Sequence, residues 1–114
     1  MAFYRASIGS GGGSINPQDA YVSAYNVNVK GTAVSLTSGK TYVMTWNVDG
    51  NGARTVLTNG TILYEKIGNG GTWSSRTIYT RLVIFKATAS SVTISTDTSG
   101  NAGRMYDVII TKLD

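Results

Sequence analysis

From Tyr21 onward, apolar and polar residues alternate in short runs, and turn residues interrupt each run before a helical period develops. Tyr21, Tyr25, Val27 and Val29 share one parity and predict a first strand that ends at Lys30-Gly31. Val34 and Leu36 predict a short second strand, closed by Ser38-Gly39. Over residues 41–48, Tyr42, Met44, Trp46 and Val48 alternate with Thr41, Thr45 and Asn47, the clearest half-buried strand of the chain. Asp49-Gly50-Asn51-Gly52 then supplies a hairpin turn able to adopt positive φ.

Residues 54–58 and 61–67 flank Asn59-Gly60, a strong hairpin signal, and a glycine-rich loop, Gly68-Asn69-Gly70-Gly71, follows. Residues 77–87 carry Ile78, Leu82 and Ile84 on one parity and Tyr79, Val83 and Phe85 on the other. A strand apolar on both faces belongs in the middle of a sheet or at a subunit contact. Val92, Ile94 and Thr96 alternate next, and residues 104–112 close the domain with Tyr106, Val108 and Ile110 expected to face inward. The sum is an all-β fold, an antiparallel sandwich or jelly roll of about eight short strands. No segment could serve as a crossover helix, which excludes a parallel α/β architecture.

The chain's 114 residues suit one domain and divide unevenly. Residues 1–16 read as a flexible, glycine-rich N-terminal arm, with Phe3, Tyr4 and Ile8 ahead of Gly9-Ser10-Gly11-Gly12-Gly13-Ser14. Residues 17–114 read as the β-sandwich domain, starting at the single proline, Pro17. The arm is either an assembly device, with Phe3, Tyr4, Arg5 and Ile8 ordering against a neighbouring subunit, or a terminus that folds back on its own domain.

Composition narrows the chemistry. Charged residues make up 14% of the chain, against roughly 25% in an average domain, so Gly, Ser, Thr and Asn fill the polar positions. The net charge of +4 comes from cations scattered between Arg5 and Lys112 with no two adjacent, a poor phosphate track, and nucleic acid is not an expected partner. No run approaches the ~20 apolar residues of a membrane span. The first residues have no apolar stretch of signal-peptide length, so synthesis in a cytoplasm is expected.

Histidine and cysteine are absent, which removes the commonest general base and the thiolate nucleophile. Ser38-Gly39-Lys40-Thr41 ends like a phosphate-binding loop, yet no helix follows and Val34 stands where the first glycine would be. Asp49, Asp97 and Asp107 are far apart in sequence, and Glu65 reads as a surface carboxylate beside Lys66. The oxygen-rich stretches at Asp49-Gly50-Asn51 and Asp97-Thr98-Ser99-Gly100-Asn101 read as turns and do not match calcium-loop spacing. The expectation is a protein that is not an enzyme and needs no cofactor or metal.

The aromatic residues are more informative. Trp46 is in phase with a core face. Trp73 follows a glycine-rich stretch in an apparent loop, where three roles fit it: cover over the core, anchor of a subunit contact, or platform for a sugar ring. Asn69, Trp73, Arg76 and Tyr79 form the candidate ligand or interface set.

The opening Phe3-Tyr4-Arg5-Ala6-Ser7-Ile8-Gly9-Ser10-Gly11-Gly12-Gly13, joined to a β domain rich in Thr, Gly and Asn, resembles small virion structural proteins of tailed bacteriophages. Capsid decoration, head-fibre and tail-tip proteins share this style. The resemblance implies a virion protein made in the host cytoplasm. It would be a homo-oligomer, trimers included, attached to other virion proteins through its arm while the β domain faces outward. The alternative is a carbohydrate-binding or host-receptor-binding module that takes a cell-surface glycan.

Overall fold

The computed structural model describes residues 18–49, 53–73, 76–99 and 103–113. Within them the chain forms β1 (Gln18–Val22), β2 (Thr32–Ser35), β3 (Thr41–Asp49), β4 (Thr55–Thr58), β5 (Gly60–Trp73), β6 (Arg76–Ala87), β7 (Ser91–Thr96) and β8 (Tyr106–Lys112). A large sheet in the order β1-β8-β3-β6-β5 faces a small sheet in the order β2-β7-β4, and all pairs are antiparallel. First pairs with last (β1 with β8), second with second-last (β2 with β7), third with third-last (β3 with β6). This nested order builds the expected antiparallel sandwich. The proposed arm, with Phe3, Tyr4, Arg5 and Ile8, lies outside the described residues.

The alternation in β3 sends Tyr42, Met44, Trp46 and Val48 inward, where all four are buried beside Val83, Phe85, Val108 and Ile110 of the same sheet. Val34, Val92 and Ile94 meet them from the small sheet. Tyr42 and Phe85 stand directly opposite across β3 and β6, their rings stacked at 5.6 Å. Such a pair adds about 0.5–1.5 kcal/mol beyond its buried area. The Tyr42 hydroxyl oxygen accepts a hydrogen bond from the Thr37 N–H at 2.8 Å, so its polar end is satisfied inside the core.

Several turns differ from the sequence expectation. The first strand stops at Val22 because Asn26 takes φ +58°, which turns the chain away before it returns at Val29 to bond the Met105 carbonyl. Asn59-Gly60 does not close a hairpin. β4 belongs to the small sheet and β5 to the large one, so this turn is a corner between sheets. Asn59 sits at φ +66°, its side-chain amide donates to the Ser91 carbonyl, and its own carbonyl accepts from Thr88 N–H. A Cβ on Gly60 would come within 3.0 Å of Leu57 Cδ1, which explains the glycine at this bend. β3 and β4 are likewise in different sheets, so the stretch after Asp49 is no hairpin either; residues 50–52 lie outside the described residues. Among the described residues, the one hairpin within a sheet joins β5 to β6. Residues 68–71, expected as a loop, are part of β5.

The corner yields a test. Asn59→Ala should destabilise the domain by about 1–2 kcal/mol, through left-handed strain and the lost amide bond. Asn59→Gly should cost less than Asn59→Ala, because glycine takes positive φ without strain. Urea denaturation measures both, and the opposite order would rule out the strained corner.

Candidate functional site

Three features of the large sheet carry polar or unpaired surface. The first is a buried polar cluster. β5 inserts Leu63 as an extra residue between Ile62 and Tyr64, and this bulge turns the following parity over. Glu65 therefore faces inward, opposite Val83, instead of lying at the surface as its neighbour Lys66 suggested. Its Oε2 accepts from Thr55 N–H at 3.0 Å and Thr55 Oγ1 at 2.7 Å, and Thr55 Oγ1 accepts from Trp46 Nε1 at 2.8 Å. Arg81 Nε lies 3.8 Å from the same carboxylate oxygen and donates to the Ala53 carbonyl at 3.0 Å. The pair is nearly closed to water, with side-chain exposures of 8% for Arg81 and 13% for Glu65. No buried side-chain N or O lacks a partner among the described residues. A site so fully satisfied and closed holds the sheets together rather than meeting a substrate.

The second feature is the outer face of the large sheet. Register aligns Asp19, Thr111, Val43, Ile84 and Tyr64 in one cross-strand row. Val22, Ile109, Thr45, Leu82 and Lys66 form the next. Charges stand only at the row ends. Val22, Tyr64, Leu82 and Ile109 keep between 38% and 58% of their surface exposed. The outer face of the small sheet is different: Thr93 stands between Ala33 and Thr58, and Ser95 beside Val56. That face carries one exposed aliphatic side chain, Val56, among hydroxyls and an alanine, whereas the large face lines up several.

The third feature is a cleft beyond those rows, of about 230 Å³, lined by Tyr25, Asn26, Asn47, Tyr106, Asp107, Ile78 and parts of Val48, Gly70 and Thr72. A second bulge builds it. β8 carries one more residue than β3 between the pairs Thr45–Ile109 and Asn47–Tyr106, and Asp107 takes φ +52° there. Tyr106 consequently joins the outer face opposite Asn47, against the expectation that it faces inward, and Met105 is buried instead. Thr80 Oγ1 donates to Asn47 Oδ1 at 2.8 Å, and Asn47 Nδ2 donates to Asp107 Oδ2 at 3.3 Å. Asn26 N–H donates to Asp107 Oδ1 at 3.3 Å. Nothing in the sequence joins these residues; only the register does.

The candidate set Asn69, Trp73, Arg76 and Tyr79 falls on the far half of the β5–β6 hairpin, with Asn69 paired to Tyr79 and Trp73 to Arg76. Trp73 is thus on a strand rather than in a loop. The side chains of Asn69, Trp73 and Arg76 lie outside the described residues. Tyr79 is half-buried and packs against the core. Asp97 accepts from Arg54 N–H at 2.9 Å and Thr98 Oγ1 at 3.4 Å, which accounts for it as a turn residue. The cations are spread by the fold: Arg81 is inside, Lys30 Nζ bonds the Thr98 carbonyl, and Lys66 and Lys86 occupy the large outer face.

Comparison with known protein families, curated proteins and solved structures finds no match to this chain.

The buried cluster makes its own prediction. Glu65→Leu should cost about 3–5 kcal/mol, because it removes the counter-charge of a buried guanidinium and the acceptor of Thr55, and adding Arg81→Met should recover the part due to the charge. Denaturant unfolding of the two single variants and the double variant measures the coupling. A Glu65→Leu chain of native stability would show that the pair contributes nothing.

Proposed function

We propose that this chain is a non-enzymatic structural protein of an assembled particle, of the kind that decorates heads or builds fibres and tail tips in tailed bacteriophages. Its copies join when the N-terminal arm of one lies over the outer face of the large sheet of the next. The observation that carries this reading is the pair of apolar rows through Val43, Ile84 and Tyr64 and through Val22, Ile109 and Leu82. An apolar surface of this extent, beside a small-sheet face with one exposed aliphatic residue, supports a contact there.

Chain geometry supports the arm as its occupant. β1 begins at Gln18 on the edge of this same sheet. The arm's 16 residues extend up to about 50 Å, whereas five strands are roughly 20–24 Å across. Phe3, Tyr4 and Ile8 supply three large apolar side chains, each worth about 1.5–3 kcal/mol when fully buried. The glycines between arm and domain let the segment follow a neighbour's surface. The resemblance of the arm to those of small phage virion proteins adds to the reading.

Light scattering after size exclusion tests it on the full chain, on a chain lacking residues 2–13, and on Leu82→Asp, with circular dichroism confirming that each is folded. The full chain should be an oligomer, and both variants should be folded monomers. A monomeric full chain overturns the proposal, as does an oligomer that survives loss of the arm.

A further inference from the structure

The cleft at the Asp107 bulge lies at the end of the apolar face, next to Val22 and Ile109, and its chemistry is specific. Among the described residues Asp107 is the one carboxylate that lines it, and none of those lining residues is a lysine or arginine. An anionic ligand would find no cation among them to offset that carboxylate. A divalent cation would need six to eight oxygen ligands, and the carboxylate already accepts two N–H groups. An extended peptide would seek an unpaired strand edge, but Asn47 and Tyr106 belong to β3 and β8, both inside the sheet. The groups that remain are a carboxylate, carboxamides, hydroxyls and aromatic rings. That set matches a neutral ring bearing several hydroxyls.

The polar groups are held in advance. Asn47 has its amide orientation fixed, since Oδ1 accepts from Thr80 and Nδ2 donates to Asp107. The carboxylate has about four acceptor positions and uses two on Asn26 and Asn47, which leaves two for ligand hydroxyls. Gly70 protects the arrangement: a Cβ there would come 2.5 Å from Thr80 Oγ1, the hydroxyl that sets Asn47. Asn26 and Asp107, two of the three non-glycine residues at positive φ among the described residues, meet at this spot. Tyr25 stands at the rim with 87% of its surface exposed, a ring face free to stack on an apolar sugar face. The volume of about 230 Å³ is below the roughly 300–1,000 Å³ of drug-sized pockets, so the cleft takes one ring rather than a long chain.

We infer that this cleft, formed by Tyr25, Asn26, Asn47, Tyr106 and Asp107, binds a single neutral pyranose unit, as the end or a branch of a glycan. Asp107 and Asn47 hold adjacent hydroxyls, and Tyr25 stacks on the ring. The earlier candidate set on the β5–β6 hairpin tip is not required.

Amide-detected NMR titration of the full chain tests the inference, with glucose, galactose, mannose and N-acetylglucosamine each taken to 50 mM. At least one sugar should shift the resonances of Asn26, Asn47, Tyr106 and Asp107 together, with a dissociation constant on the order of 1 mM, as expected for one ring held by few bonds. Asp107→Asn should weaken binding about tenfold or more, because it removes a charge-assisted acceptor. Tyr25→Ala should weaken it about fivefold and, at so exposed a position, leave the fold intact. Absence of shifts with all four sugars overturns the inference, as do shifts that persist unchanged in both variants. The same titration on the chain lacking residues 2–13 should give the same shifts, which separates this inference from the assembly proposal.

Discussion

Side chains on a strand alternate between faces, and a sheet with one buried face admits no exception to this except by inserting a residue. The large sheet makes that insertion at Ala20 in β1, at Leu63 and Gly70 in β5, and at Asp107 in β8. Each extra residue turns over every side chain beyond it. Leu63 brings Glu65 under the sheet to meet Thr55 and Arg81, and Asp107 exchanges Tyr106 for Met105 in the core. Both polar constellations of the domain are therefore consequences of register, and neither would exist in a sheet of unbroken alternation.

The two outer faces show what the chain invests in each. The small sheet presents hydroxyls and short side chains, which water solvates without help. The large sheet places Val22, Ile109 and Leu82 in a line. Evolution toward solubility alone would have replaced such residues, since threonine keeps the β propensity of valine and offers water a hydroxyl. Thr45 sits in the middle of that line, so a hydroxyl is structurally acceptable there, and the aliphatic neighbours reflect a different demand.

Much of this fold was legible in the residue pattern. The parity of β3 placed Tyr42, Met44, Trp46 and Val48 in the core, and the two-sided apolar pattern of β6 placed it inside a sheet. What escaped was non-local. Asn59-Gly60 carries the residues of a tight turn, and it does turn the chain. Whether the flanking strands then pair depends on Ser91 and Thr88, far along the chain, which anchor Asn59. The faces of Glu65 and Tyr106 are not legible because a bulge leaves no local mark when the extra residue is a leucine or an aspartate. Gly70 is the exception: a glycine inside a strand is a bulge signal, though its glycine-rich surroundings equally suit a loop. The cleft was hidden for the same reason, since Asn26, Asn47 and Asp107 become neighbours only through pairing across the sheet.

The nested pairing also dictates an order of events during biosynthesis. β5 and β6 are adjacent in the chain and can close as soon as both exist, but Asp19 of β1 meets Thr111 of β8 across 92 residues. Closing so distant a pair is entropically slow and waits on the strands between. Among the strands of this domain, β1 is thus the one whose partner is made last. The edge it forms stays unanchored while the inner strands pair, so the large sheet is completed from its centre outward.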